Sequence, residues 1–132
     1  MTDHSTAKIL LVEPESILAD LTAFRLELLG FDMTVVSAGA QARDQLRQKS
    51  FDLLVVDTKL PEGDGIEWLT ELRLEVKQDE MPVLMLSLDP SLESVRRAYL
   101  AGAQDYLITP FDPTVLEEKI QVLLALQTES VG

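Results

Sequence analysis

Five short runs of apolar residues, separated by longer segments with helical periodicity, constrain the fold of this chain most strongly. The runs cover residues 9–12, 33–36, 53–56, 83–86 and 106–108. Each run is too short to form a helix, and several are rich in β-branched residues, which favours strands. Because the apolar residues are consecutive rather than alternating, we expect strands that are buried on both faces.

The segments between these runs are predicted to be helices, at about residues 16–29, 40–49, 66–76, 91–100 and 115–126. In the first segment Ile17, Leu21, Phe24 and Leu28 recur at helical spacing, a pattern typical of a face that packs on a core. Gly30 follows as the expected C-terminal cap. Two aspartate-proline pairs, at 89–90 and 112–113, are typical of helix starts.

Five strands in alternation with five helices predict an α/β fold, with a parallel sheet covered by helices on both faces. We expect a flavodoxin-like, doubly wound sheet of five strands in the order 2-1-3-4-5. The 132 residues are enough for one domain, and we find no internal repeat or linker. We therefore predict one domain over residues 1–132, with its core at about 7–127 and short mobile tails.

The charge of the chain restricts its partners. With 23 acidic and 11 basic residues, the formal net charge is -12, and this field repels a nucleic-acid backbone. Cysteine is absent from the sequence, so thiol chemistry and disulfides are excluded. No signal peptide or membrane-spanning run is recognisable, and we expect a cytoplasmic protein without membrane partners. The single histidine, His4, is interpreted as a solvated residue of the N-terminal tail.

Polar residues follow the predicted strands at the sheet edge where open α/β folds bind their ligands. Glu13 follows the first strand, Asp57 the third, Ser87 the fourth and Thr109 the fifth. The carboxylates of Glu13 and Asp57 are therefore expected to meet. Hard oxygen ligands of this kind suit Mg²⁺, and a carboxylate can also act as a nucleophile toward phosphorus.

Several motifs in the right order now resemble one family. Residues 51–65 read FDLLVVDTKLPEGDG, residues 81–87 read MPVLMLS, residues 101–107 read AGAQDYL, and Pro110-Phe111 follow. Together they resemble the receiver domains of bacterial two-component response regulators, over about residues 8–126. Because four separate motifs agree with the predicted fold, the resemblance is specific.

The resemblance implies roles for individual residues. It makes Asp57 the phosphoacceptor, and it makes Glu13, Asp57 and the backbone carbonyl of Lys59 the ligands of Mg²⁺. Ser87 would bond the phosphoryl group and Tyr106 would report the switch. Their remaining neighbours in the phosphoryl pocket would be Thr58, Thr109 and Pro110, with a cis peptide bond before Pro110. From the residues alone, Glu13 as a solvated loop acid, Ser87 as a hydroxyl cap and Tyr106 as core packing remain open.

The sequence departs from the family pattern at three positions. Pro14 stands where receivers carry a second acid, Thr109 where they carry a lysine, and Leu88 where they carry a small residue. The missing acid would bind Mg²⁺, so we predict weak Mg²⁺ binding. The missing lysine would neutralise charge on the phosphoryl group, so we predict slow phosphorylation by small donors, or none. Lys59 is interpreted either as a partial replacement for the missing charge or as an exposed loop residue.

The implied function is signalling in a phosphorelay. A sensor histidine kinase or phosphotransfer protein would donate to Asp57, and the fourth helix, fifth strand and fifth helix would meet a downstream protein or output domain. Arg96 and Arg97, with Glu117 and Glu118, also suggest a weak homodimer through this face. The alternative is a protein-interaction module that works without phosphorylation.

An enzymatic function fits less well, beyond self-phosphorylation and self-dephosphorylation of Asp57. A flavin site would need a phosphate-binding loop after the first strand, where Glu13-Pro14-Glu15 is acidic. A phosphatase of the haloacid-dehalogenase type would need an acid at position 59, where lysine stands.

Overall fold

The computed structural model describes residues 6–77 and 80–131. Its strands are β1 (Lys8–Val12), β2 (Asp32–Val36), β3 (Leu53–Asp57), β4 (Lys59–Leu60), β5 (Gly63–Asp64), β6 (Val83–Ser87) and β7 (Asp105–Ile108). Its helices are α1 (Ser16–Leu28), α2 (Gly39–Gln48), α3 (Gly65–Leu72), α4 (Leu92–Ala101) and α5 (Pro113–Val131).

The main sheet has five parallel strands in the order β2-β1-β3-β6-β7. This is the predicted order 2-1-3-4-5, because β6 and β7 are the fourth and fifth strands of this sheet. The short antiparallel pair β4–β5 forms a separate hairpin directly after β3. The chain reverses its direction across the sheet between β1 and β3, so their carboxyl ends flank the crevice where such sheets bind ligands.

Two apolar cores lie on opposite faces of the sheet. One face packs against α2, α3 and α4, through residues such as Ala42, Leu69 and Ala98. The other packs against α1 and α5, through residues such as Leu26 and Ile120. The consecutive apolar residues of β1, β3 and β6 alternate between these cores, which confirms the prediction of burial on both faces for the three central strands. The edge strands β2 and β7 are only partly buried, because each has a neighbouring strand on one side alone.

The face of α1 that contacts the sheet differs from the prediction. Ile17, Leu21, Phe24 and Leu28 are all exposed. The helix instead buries Ala19, Thr22, Ala23 and Leu26. Apolar residues occur on more than one side of α1, and the side with the small residues lies against the sheet, where a short side chain lets the helix axis approach closely.

The helix ends agree with the sequence in part. Asp112 accepts a hydrogen bond from the Thr114 backbone N–H (2.8 Å) directly before Pro113, as expected for a helix start. The cap of α4 is Ser91 rather than the predicted Asp89, which instead accepts from the Ser91 N–H (2.8 Å). Gly30 has a φ of 95°, which suits its predicted place after α1.

The two ends of the chain differ from the prediction or lie outside the described residues. Helix α5 continues to Val131, beyond the predicted end at residue 126. His4 and the rest of the predicted N-terminal tail up to residue 5 lie outside the described residues, as does residue 132. Over the part of the chain that is described, no helix has the length and apolarity needed to cross a membrane.

Candidate functional site

An open cleft of about 570 Å³ lies at the carboxyl ends of β1, β3 and β6. Three loops form its walls: the one after β1, the one after β3 and the one after β6. The lining residues are Glu13, Pro14, Glu15, Asp57, Thr58, Lys59, Leu60, Pro61, Ser87, Leu88 and Asp89. Carboxylates from β1 and β3 therefore meet at this edge, as the sequence predicted.

Glu13 is a buried carboxylate, with only 3% of its surface exposed. Its Oε2 accepts a hydrogen bond from the Glu15 backbone N–H (3.0 Å). Its Oε1 is buried and accepts none from any residue that the structure describes. Burial raises the pKa of Glu13 to about 7, and the neighbouring Asp57 charge adds to the rise. This environment excludes the alternative that Glu13 is a solvated loop acid.

Asp57 ends β3 and is partly exposed to the cleft. Burial raises its pKa, and the hydrogen bond from the Lys59 backbone N–H to Oδ1 (2.7 Å) opposes that rise. The charge of Asp57 in turn raises the pKa of Glu13, because both carboxylates line the same cleft. The close approach of α3 depends on Gly65, because a Cβ there would collide with the Asp57 carbonyl oxygen.

The donor set fits a hard divalent cation. A buried carboxylate oxygen without a hydrogen-bond partner, beside a second carboxylate, is the environment that a cation stabilises. Glu13 and Asp57 supply two carboxylates, and within the described ranges no third acidic, histidine or cysteine side chain completes a metal-binding cluster. Further ligands would come from the backbone, side-chain hydroxyls, water or a phosphoryl group, which is consistent with weak binding.

Hydrogen bonds connect the cleft to the first turn of α4. The Thr58 hydroxyl donates to Ser87 Oγ (2.8 Å), and the Asp89 backbone N–H donates to the same oxygen (3.0 Å). The Tyr106 hydroxyl donates to the Asp89 carbonyl (2.6 Å) and lies 2.9 Å from Ser94 Oγ. Ser87, Ser94 and Tyr106 are all buried, so these hydroxyls are held without competition from bulk water.

Two predicted neighbours, Thr109 and Pro110, do not line the cleft. Thr109 donates its backbone N–H to the Ser87 carbonyl (2.7 Å), but Thr109 and Pro110 line a separate apolar groove between α1 and α5. Their prediction as neighbours of a phosphoryl group stays a prediction. The Thr109-Pro110 peptide is cis, as predicted. Lys59 is exposed and, among the described ion pairs, makes none with Asp57, although its charge opposes the rise of the Asp57 pKa that burial causes.

A family model described as the response regulator receiver domain matches residues 9–121. The chain belongs to this family.

Some relatives of this chain have about its length, and others are longer. The chain is 31% identical to a chemotaxis protein CheY homolog of Campylobacter jejuni, over 89% of this chain and 92% of that protein. It is 32% identical to the phosphate regulon transcriptional regulatory protein PhoB of Rhizobium meliloti, over 89% of this chain but 52% of that protein. The receiver thus spans about half the length of some curated relatives that it matches.

Solved structures agree with the fold. A CheY-like receiver domain protein from Methanospirillum hungatei superimposes with a TM-score of 0.88 at 27% identity, over 95% of this chain and 98% of that chain. The receiver domain of the sensor histidine kinase PA1611 from Pseudomonas aeruginosa gives a TM-score of 0.81 at 27% identity, over 91% and 98%. That second structure is described with a magnesium ion coordinated in its active-site cleft.

Sequence reasoning missed the residues that fix the loops of this receiver. Glu62 accepts from the backbone N–H groups of Gly39 (3.1 Å) and Ala40 (2.8 Å), so the β4–β5 hairpin caps α2. Asp64 was visible as an acid before a helix, but its second partner, Arg97, is 33 positions away. Ser94 carried no signal either, because a serine within a helix is usually a neutral surface residue.

Proposed function

We propose that this receiver accepts a phosphoryl group on Asp57 and transmits the change to a protein partner. The observation that carries the proposal is the Glu13–Asp57 pair: one buried, unsatisfied carboxylate oxygen beside a second carboxylate that lines an open cleft. A purely structural acid would not be kept in that environment, because burial of an unpaired charged group is costly.

The reaction requires a nucleophilic oxygen with access to the donor. A carboxylate oxygen of Asp57 would attack the phosphorus of a phosphohistidine, and the P–N bond would break as the imidazole leaves with its electron pair and takes up a proton. Glu13, Asp57 and the Lys59 carbonyl would hold Mg²⁺, which neutralises charge on the phosphoryl oxygens. The chain thus serves as an acceptor and, beyond its own phosphorylation and dephosphorylation, not as an enzyme.

The hydrogen-bonded hydroxyls support a route for the signal. Ser87 is shared between Thr58 and Asp89, so a phosphoryl oxygen that takes the Ser87 hydroxyl would change the contacts of both neighbours. Asp89 in turn holds the Tyr106 hydroxyl. In this proposal Ser87 and Tyr106 are the switch residues, and the effect reaches α4, β7 and α5.

Exposed apolar side chains support α4, β7 and α5 as the partner face. Leu92 and Tyr99 on α4, Ile108 on β7 and Val122 on α5 all reach solvent. Single exposed apolar residues are ordinary, but several on adjacent elements are typical of an interaction surface. The partners would be a cytoplasmic sensor histidine kinase or phosphotransfer protein as donor, and a downstream protein, an output domain or a second copy as receiver of the signal.

Phosphorylation is expected to be slow with small donors. Thr109 stands where receivers carry a lysine, so the positive charge of that lysine is missing. Removing one electrostatic partner of this kind costs roughly a hundredfold in rate. The test is the intact mass of the chain after incubation with acetyl phosphate and Mg²⁺, compared with Asp57→Ala and with EDTA. Slow, Mg²⁺-dependent addition of one phosphoryl group to the wild type alone supports the proposal. Complete absence of labelling, with a histidine phosphotransfer protein as donor as well, favours the phosphorylation-independent module.

A further inference from the structure

Asp64 uses both of its carboxylate oxygens, and each contacts a different helix. Oδ1 accepts from the Ile66 backbone N–H (2.8 Å) and so caps α3. Oδ2 pairs with the guanidinium of Arg97 on α4 (2.7 Å). Partial burial opposes the charge of Asp64, but Arg97 and the Ile66 N–H lower its pKa on balance, so the pair stays ionised at neutral pH.

The backbone around Asp64 is in direct contact with the acceptor segment. Asp64 is paired with Lys59 across the β4–β5 hairpin. The next residue, Gly65, donates its N–H to the Thr58 carbonyl (2.7 Å). A Cβ at Gly65 would collide with the Asp57 carbonyl oxygen, so this turn packs closely against the end of β3. Movement of Asp64 is therefore transmitted to residues 57–59.

Two separate routes from α4 converge on Thr58. The first runs from Ser94 through Tyr106, Asp89 and Ser87 to the Thr58 hydroxyl. The second runs from Arg97 through Asp64 and Gly65 to the Thr58 backbone carbonyl. Ser94 and Arg97 are one helical turn apart, so a displacement of α4 would alter both routes together.

We propose that Asp64 is a positioning residue, and that its ion pair with Arg97 couples the Asp57 segment to the placement of α4. The inference rests on the proposed function for the chemistry at Asp57. The link from Arg97 through Asp64 to residues 57–59, called the tie below, is present in the chain without any ligand. We expect loss of the ion pair to weaken binding at Asp57, because Asp64 and Gly65 hold residues 57–59 in place. Coupling of this kind is reciprocal, so binding at Asp57 in turn alters the surroundings of Arg97.

The tie is tested first without a ligand, by amide hydrogen exchange followed by NMR. Arg97→Gln and Asp64→Asn both remove the ion pair, and asparagine still caps α3. We expect exchange of the Gly65 amide to rise about two- to fivefold in each, the range of a partly exposed ion pair. Arg96→Gln, the neighbouring arginine on the same helix, is the matched control and should leave Gly65 unchanged. Equal effects of Arg96→Gln and Arg97→Gln, or no effect of Arg97→Gln, overturn the proposal.

The second measurement is a titration with beryllofluoride in excess Mg²⁺, followed by Trp68 fluorescence and backbone NMR. Arg97→Gln and Asp64→Asn should each raise the apparent Kd about two- to fivefold, and the double variant should add little to either. A Kd unchanged in both variants overturns the positioning role. If the wild type binds no beryllofluoride, the proposed function fails, and the exchange of Gly65 alone decides whether the tie exists.

Discussion

Glu13 places a second carboxylate beside Asp57, where water reaches it poorly. Its pKa is raised to about 7 in the folded chain from an ordinary value of 4.5, mainly by burial. The folded state therefore holds a proton that the unfolded state has released between those two pH values. By linkage, the protonated Glu13 stabilises the fold at low pH, and this stabilisation is lost as the pH rises toward 7.

The free energy of unfolding of the wild type in metal-free buffer should therefore fall between about pH 4.5 and 7 and change little above. A fall of roughly 3 kcal/mol corresponds to the shift in the pKa of Glu13 from 4.5 to about 7. Glu13→Gln removes this titration and should be more stable than the wild type at pH 8. Urea unfolding followed by Trp68 fluorescence at several pH values measures both. Parallel pH profiles for the two proteins would contradict the expectation.

Gly65 is a glycine that packs directly against the backbone at the end of β3. A Cβ there would meet the backbone of Asp57 and Thr58, which cannot rotate away as a side chain would. We expect Gly65→Ala to destabilise the fold by about 1–3 kcal/mol and to shift the Lys59 amide resonance, because that N–H is bonded to Asp57 Oδ1. Gly63→Ala is the control: its cost comes from the φ of 132°, and the new Cβ meets nothing within 4 Å. A Lys59 resonance that shifts equally in both variants would count against the close contact.

At this scale the sequence predicted residue types better than their surroundings. Glu13 and Asp57 were predicted together because parallel strands end at one edge of the sheet. The burial of Glu13 was not predictable, since it depends on how three loops close around one side chain. Thr109 was predicted as a neighbour of the phosphoryl pocket by its position in a motif, whereas the groove that it lines with Pro110 follows from the path of the chain after β7.

Among the elements, α1 shows the limit of reading a helix face from its apolar residues. Its sequence offers several apolar stripes, and the one with the largest side chains is exposed. The strands were easier to interpret, because β1, β3 and β6 each contain four consecutive apolar residues, at 9–12, 53–56 and 83–86, which leave no choice of face. For α1 the choice depends on the distance between helix and sheet, which no local pattern specifies.

Two leucines on α1 test which face is buried. Leu26 is 0% exposed and Leu28 is 71% exposed. Leu26→Ala should lower the free energy of unfolding by about 2–5 kcal/mol, because it leaves a cavity in the core shared with α5. Leu28→Ala removes the same atoms from a side chain in solvent and should change it by less than about 0.5 kcal/mol. Equal losses in urea unfolding would show that the orientation of α1 is wrong.

For the molecule as a whole, the net charge opposes self-association and the exposed apolar surface favours it. A net charge of -12 repels a second copy, while two exposed apolar surfaces, on α1 and on α4, β7 and α5, favour association. Two of the charges expected to pair between copies are already satisfied within one chain. Arg97 binds Asp64 and Glu117 binds Arg25, each pair within 2.8 Å. Any dimer must therefore depend on apolar contacts more than on these ion pairs.

Self-association should therefore increase with salt, the opposite of what a dimer held by ion pairs would show. The range of charge repulsion falls from about 30 Å at 0.01 M salt to about 10 Å at 0.1 M, whereas apolar contacts persist. We expect sedimentation equilibrium to give the mass of one chain at low salt and a growing dimer fraction near 0.5 M.

Ile108→Glu, on β7, should abolish the dimer, and Leu28→Glu, on the exposed face of α1, should not. Both variants add one negative charge, so a general charge effect would lower association equally in the two. Loss of the dimer in Leu28→Glu alone would move the interface to α1, and a wild type that stays monomeric at every salt concentration would exclude a homodimer through either face under these conditions.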